Sequence, residues 1–239
     1  ETALSEYGIF EAIILPIMFF PSIILQSLSC ILVPEIAREK SAQRLEKVRY
    51  LTKKVLLRGF SWSILVASIL FAYGSKIGVL TCDDPLVGKT LMILCPIIPF
   101  IYLEIVLEGI LKGMGMQNFS TINSAAEYIL RISAVLICVP LMGFNGIIVS
   151  YFISNVICNI VRIVAVLKAT ELEFDFTNFI FVPLFSAGVG WQISLLFVRA
   201  LKIPQGVFNV AIYIMLSCLI YFITKKLLMN FTTAKIKTA

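Results

Sequence analysis

Charged residues set into apolar runs are where this sequence could do chemistry. Glu104, Glu108 and Lys112 recur at every fourth position of CPIIPFIYLEIVLEGILKGMGMQ. On a helix they form one polar stripe, because residues four apart are neighbours on its surface. Glu127 and Arg131 are also four apart, on the next apolar stretch. The two stripes fall at similar depth, so an antiparallel helix pair would bring Arg131 against Glu104 or Glu108. Two functions fit: a cavity-facing cluster that meets a phosphate-sugar head or couples to protons, or an internal ion pair that locks two helices, with Glu108 and Lys112 at the headgroups. Ionisable groups at such positions are functional candidates by default, since placing them there costs free energy. Asn155 and Asn159 repeat the spacing of four on the following stretch, with Arg162 near its end. They serve either as hydrogen-bonding links between helices or as cavity lining.

Other chemistries find little to work with. The chain has no histidine, which removes the commonest proton shuttle and metal ligand. None of its six cysteines has CxxC spacing, and no phosphate-binding GKS/T loop occurs. Gly109, Gly113 and Gly115 fit close packing or a helix end better than phosphate binding. The expectation is therefore no metal, no cofactor and no enzyme. A membrane-bound transferase would need loop acids, and the outer loops offer only Asp83 and Asp84.

The elements that position these residues are membrane spans. Of 239 residues, 59% are hydrophobic and 14% charged, and mean hydropathy is +0.97. A soluble domain is about 45–50% apolar and about 25% charged. Long apolar runs with charged punctuation read as helices rather than as the strict alternation of a barrel. Seven spans are expected, over about 8–36, 55–73, 85–111, 120–140, 146–167, 177–198 and 204–228. Pro16 and Pro21 should bend the first, Pro96 and Pro99 interrupt the third, and Asp84 can cap the start of the third before Pro85.

Lysine and arginine sort these spans by side. Arg38, Lys40, Arg44, Lys47, Arg49, Lys53, Lys54 and Arg58 follow the first span, and Lys112, Arg162, Lys168, Lys225, Lys226, Lys235 and Lys237 fall on the same side if the spans alternate. Only Lys76, Lys89, Arg199 and Lys202 fall on the other, with Arg131 inside a span. The cation-rich side is cytoplasmic, so residue 1 belongs outside and the C-terminus inside. The net charge of +6 reflects this sorting and not nucleic-acid binding. The run from Arg38 to Arg58 reads either as a basic amphipathic element on anionic headgroups or as a connector leading into the second span.

Three stretches together resemble the multidrug/oligosaccharidyl-lipid/polysaccharide (MOP) exporter superfamily, in its polysaccharide-biosynthesis branch that includes the stage V sporulation protein B group. They are PSIILQSLSCILVPEIAREK at 21–40, CPIIPFIYLEIVLEGILKGMGMQ at 95–117, and ILRISAVLICVPLMGFNGIIVSYFIS with its Gly-x-Asn-Gly turn. The resemblance implies an all-α polytopic bundle matching helices 8–14 of a fourteen-helix exporter. Residues 1–170 would be a second lobe lacking its first helix, and 171–239 two further helices and a cytoplasmic tail. It implies a piece of a larger protein in the bacterial plasma membrane, whose missing N-terminal lobe is its partner. Function would be alternating-access flipping of a lipid-linked saccharide or of a peptidoglycan or spore-cortex precursor, with a cation-coupled multidrug antiporter as the alternative. In one respect the chain departs from the pattern. Members that flip lipid II are expected to carry a cavity cation on this first span, and here no lysine or arginine precedes Arg38.

Overall fold

Proline shapes the first helix. In the computed structural model, which describes residues 2–82, 85–173, 175–200 and 207–237, α1 (Glu6–Ser41) widens to a π-helical stretch at Phe10–Ile14 and tightens to a 3₁₀ turn at Phe20–Ser22. Each irregularity lies beside or upon a proline, Pro16 and Pro21, whose ring and missing N–H disturb the regular ladder. Ser22 helps at the second, its hydroxyl donating to the Phe19 carbonyl at 2.7 Å. Pro34 is carried inside the helix without a break.

Among the described residues six more helices follow, and all seven are long and apolar enough to cross a membrane: α2 (Leu45–Leu80), α3 (Val87–Gly113), α4 (Gln117–Met142), α5 (Phe144–Thr170), α6 (Thr177–Val198) and α7 (Phe208–Asn230). No strand occurs among the described residues. The protein is an all-α, multi-pass membrane protein. Asp83, Asp84, Lys202 and Pro204, which the sequence placed in outer loops or at a helix start, lie outside the described residues, as do the side chains of Arg199, Lys235 and Lys237.

The basic run is not a separate surface element. A short turn at 42–44 with Gln43 at φ 56° separates α1 from α2, and α2 runs from Leu45 directly into its apolar part. α2 thus starts ten residues earlier than the apolar run alone implies. In α3 the 3₁₀ turn at Cys95–Ile97 carries Pro96, and Pro99 lies in the first turn of the helical segment after it.

Two compact units emerge. The first comprises Glu1–Gly59 and Ile97–Phe174, the second Phe60–Pro96 and Asp175–Ala239. The division therefore runs through α2 and α3 instead of falling at residue 170. Side-chain pairs tie the later part of α2 to the last two helices. The Ser61 and Tyr221 hydroxyls lie 2.7 Å apart, Tyr73 stacks on Tyr213 at 3.7 Å, and Phe60 meets Phe179 edge-on. In the same unit the backbones at Gly78 and Gly88 approach so closely that a methyl on Gly78 would lie 2.5 Å from the Gly88 nitrogen.

In the first unit α1 packs on α3 through small residues. A side chain on Gly109 would overlap Ser29, whose hydroxyl donates to the Ile105 carbonyl at 3.1 Å. Tyr102 donates to the Met18 carbonyl at 2.6 Å, where the helix irregularity leaves an acceptor. α4 and α5 form a hairpin through Gly143, at φ 59° and ψ −135°, a conformation suited to glycine. Gly146 lies against the Cys138 backbone with no room for a methyl. The outer face of α4 shows Ile122, Ile129, Ile132, Leu136 and Leu141 exposed, as expected of a helix facing lipid.

Candidate functional site

One guanidinium organises the charged residues of the first unit. Arg162, on α5, is completely buried. Its Nη2 lies 3.0 Å from Glu104 and 3.6 Å from Glu108, and its Nη1 lies 2.8 Å from Glu127. Three carboxylates from two other helices thus converge on a single cation. A buried charge is tolerated only when it is paired and hydrogen-bonded; both terminal nitrogens of Arg162 are paired, Nη2 also donating to Ser124 at 3.2 Å, while its buried Nε has no hydrogen-bond partner among the described residues.

Arg131 closes the other side of Glu127. Its Nη2 donates to Glu127 Oε1 at 2.6 Å, and its Nε donates to Ser154 at 3.1 Å. The guanidinium lies over the Tyr151 ring, 4.2 Å from its centroid, and 5.7 Å from that of Tyr128. Such stacking holds the planar cation in place while leaving an edge open. At the other end Lys112 pairs with Glu108 at 3.0 Å, and Ser124 donates to the same carboxylate at 3.0 Å.

These groups line a groove of about 570 Å³ within the first unit. Gln26 and Ser29 of α1 form one wall, and Glu104, Glu108 and Lys112 of α3 its floor. Glu127, Tyr128 and Arg131 of α4 form the opposite wall, with Tyr151 and Asn155 of α5. Exposed Phe20 and Ile23 on α1 and exposed Ile129 and Ile132 on α4 carry the flanking helices outward as apolar surface.

The structure selects one of the partners open to Arg131 and makes two corrections. Arg131 takes Glu127 on its own helix; Arg162, which the charge count assigned to the inner surface, takes Glu104 and Glu108. Asn159 is not cavity lining: it is fully buried and donates to the Asn155 carbonyl of its own helix. Asn155 does reach the groove, with its amide donating to the Tyr151 carbonyl. A signal for Arg162 was present, since Ser154, Asn155, Cys158, Asn159 and Arg162 all lie on one face of α5 by helical spacing.

The basic run resolves into two sets. Glu39, only 2% exposed, draws in Lys47 at 3.0 Å, Arg38 at 3.4 Å and Arg44 at 3.5 Å. Lys40 donates to the Met114 carbonyl at the end of α3. Arg49 pairs with Glu171 at 2.8 Å. Lys53, Lys54 and Arg58 stay exposed on α2, with Lys54 over the Tyr50 ring. Comparison with family models, curated proteins and solved structures finds no match to this chain.

Proposed function

We propose that this chain forms part of an alternating-access transporter that moves an amphiphile across a bacterial plasma membrane. The substrate class is a lipid-linked saccharide or cell-wall precursor. The carrying observation is the groove: a charged, hydrogen-bonding hollow of about 570 Å³ between helices whose outer faces are apolar. A polar head enters such a groove while its tail remains in the bilayer. Substrate sites at membrane depth are built in this way, from polar groups that pack against other helices. Residue 1 lies outside and the C-terminus in the cytoplasm, by the lysine and arginine asymmetry. A preceding lobe of the same protein supplies the second wall.

A cation-coupled antiporter is the second reading, favoured by three carboxylates meeting in one groove. Proteoliposomes separate the two. A parent protein containing this chain, reconstituted with a fluorescent lipid-linked sugar, should expose the inner-leaflet label to an outside quencher, and Arg131→Ala should abolish that exposure. Efflux of a cationic dye on an imposed ion gradient, without lipid movement, would select the antiporter. Neither activity would overturn transport.

A further inference from the structure

The ionic network accounts for nearly every charged atom in the groove. Both oxygens of Glu127 are taken, Oε1 by Arg131 and Oε2 by Arg162. Both of Glu108 are taken, Oε1 by Ser124 and Oε2 by Lys112. Glu104 spends Oε1 on Arg162, and its Oε2 has no partner among the described residues. Arg131 spends Nε on Ser154 and Nη2 on Glu127, which leaves Nη1. Glu104 and Arg131 both line the groove and are partly open to it, 25% and 21% exposed. The network therefore leaves a charged acceptor and a charged donor, contributed by facing helices, in one hollow.

The charge balance narrows what fits. Glu104, Glu108 and Glu127 are matched one for one by Lys112, Arg131 and Arg162, so with all six ionised the groove has no net charge. A head of net negative charge would find no excess cation, and one of net positive charge no excess anion. Desolvating an unmatched charge there is expensive. A head bearing both signs keeps the balance and meets both free atoms.

Resting on the transport reading above and narrowing its substrate class to heads without net charge, we propose that the groove selects a zwitterionic head, as an amino sugar linked to lipid through a single phosphate would be, with a phosphate or carboxylate on Arg131 Nη1 and a primary ammonium on Glu104 Oε2. The ammonium must carry N–H bonds, because Glu104 Oε2 is a hydrogen-bond acceptor and a quaternary nitrogen cannot donate.

Short-chain lipids test this on the chain itself in detergent, by calorimetric titration. Dihexanoyl phosphatidylethanolamine should bind about tenfold tighter than the phosphatidylglycerol and phosphatidylcholine of equal chain length, the factor expected of one charge-assisted hydrogen bond. Glu104→Gln should bring the ethanolamine lipid down to the glycerol lipid. Arg131→Gln should weaken both. Equal affinities, a preference for the anionic or quaternary lipid in the unaltered chain, or a preference that survives Glu104→Gln would overturn the proposal. The ranking in the unaltered chain decides even where a variant fails to fold. Loss of transport in the parent with the ranking intact would instead overturn the transport reading alone.

Discussion

Arg162 Nη1 and Glu127 Oε2 face each other at 2.8 Å, with 0% and 4% of their side chains exposed. Glu127 shares its other oxygen with Arg131, and Arg162 shares its other nitrogen with Glu104 and Glu108. The two cations are thus unequal. Arg162 is enclosed and serves three carboxylates; Arg131 is partly open and serves one.

Their replacement should therefore differ. Arg162→Met leaves three carboxylates short of a counter-charge and should lose about 3–5 kcal/mol, the range for breaking a buried pair. Arg131→Met leaves Glu127 still paired with Arg162, and should lose less than half as much. Adding Glu127→Gln to Arg162→Met should recover part of the loss. Denaturant unfolding in detergent measures all three, and a larger loss at Arg131 would contradict the assignment of Arg162 as the centre.

The α1–α3 contact should be intolerant of one methyl. Gly109→Ala places a carbon on the Ser29 hydroxyl and should cost about 1–3 kcal/mol, as overpacking does. Ser29→Ala in the same chain should restore most of it. Gly146→Ala meets the Cys138 main chain at 2.5 Å, so no trimming of a side chain should rescue it. Thermal melts of the single and double variants check both statements.

The spans and their prolines were legible in the sequence because both signals are local: apolar length, and a missing N–H in Pro16, Pro21 and Pro96. The charged residues of the site were legible by type, since Glu104, Glu127 and Arg131 interrupt apolar runs. Their partners were not. Depth along two helices left Arg131 free to meet Glu104, and only packing shows that its own-helix neighbour Glu127 lies closer. Arg162 looked like a surface cation because it stands near the end of its apolar run, yet α3 and α4 cover it. Glu39 was passed over for the opposite reason: one of two acids among eight cations gives no hint that it is the buried member.

Glu39 should behave as a shared anchor. Its cation partners are 48–73% exposed, so each is weak alone. Lys47→Gln should shift stability by under about 1 kcal/mol and lose even that in high salt. Glu39→Gln removes the negative charge common to all three and should shift it more than any single cation does. Melting temperatures at low and high ionic strength give the comparison.

Orientation has a direct test on α2. Lys53 and Lys76 are both exposed, and the cation asymmetry puts them on opposite sides. In a chain with its native cysteines replaced, Lys76→Cys should react with an impermeant thiol reagent added to intact cells. Lys53→Cys should react only after permeabilisation. The reverse pattern would invert the topology.

The glycine hairpin between α4 and α5 bears on how the chain enters the membrane. Alone, α4 would bring Glu127 and Arg131 into hydrocarbon with only each other for compensation, an expensive passenger for a single helix. The Gly143 turn folds α5 back at once, and Arg162 reaches Glu127 across a sequence gap of 35 residues. The hairpin by itself still holds two guanidiniums against one carboxylate, so its charges close only against α3, already made, which brings Glu104 and Glu108 to Arg162.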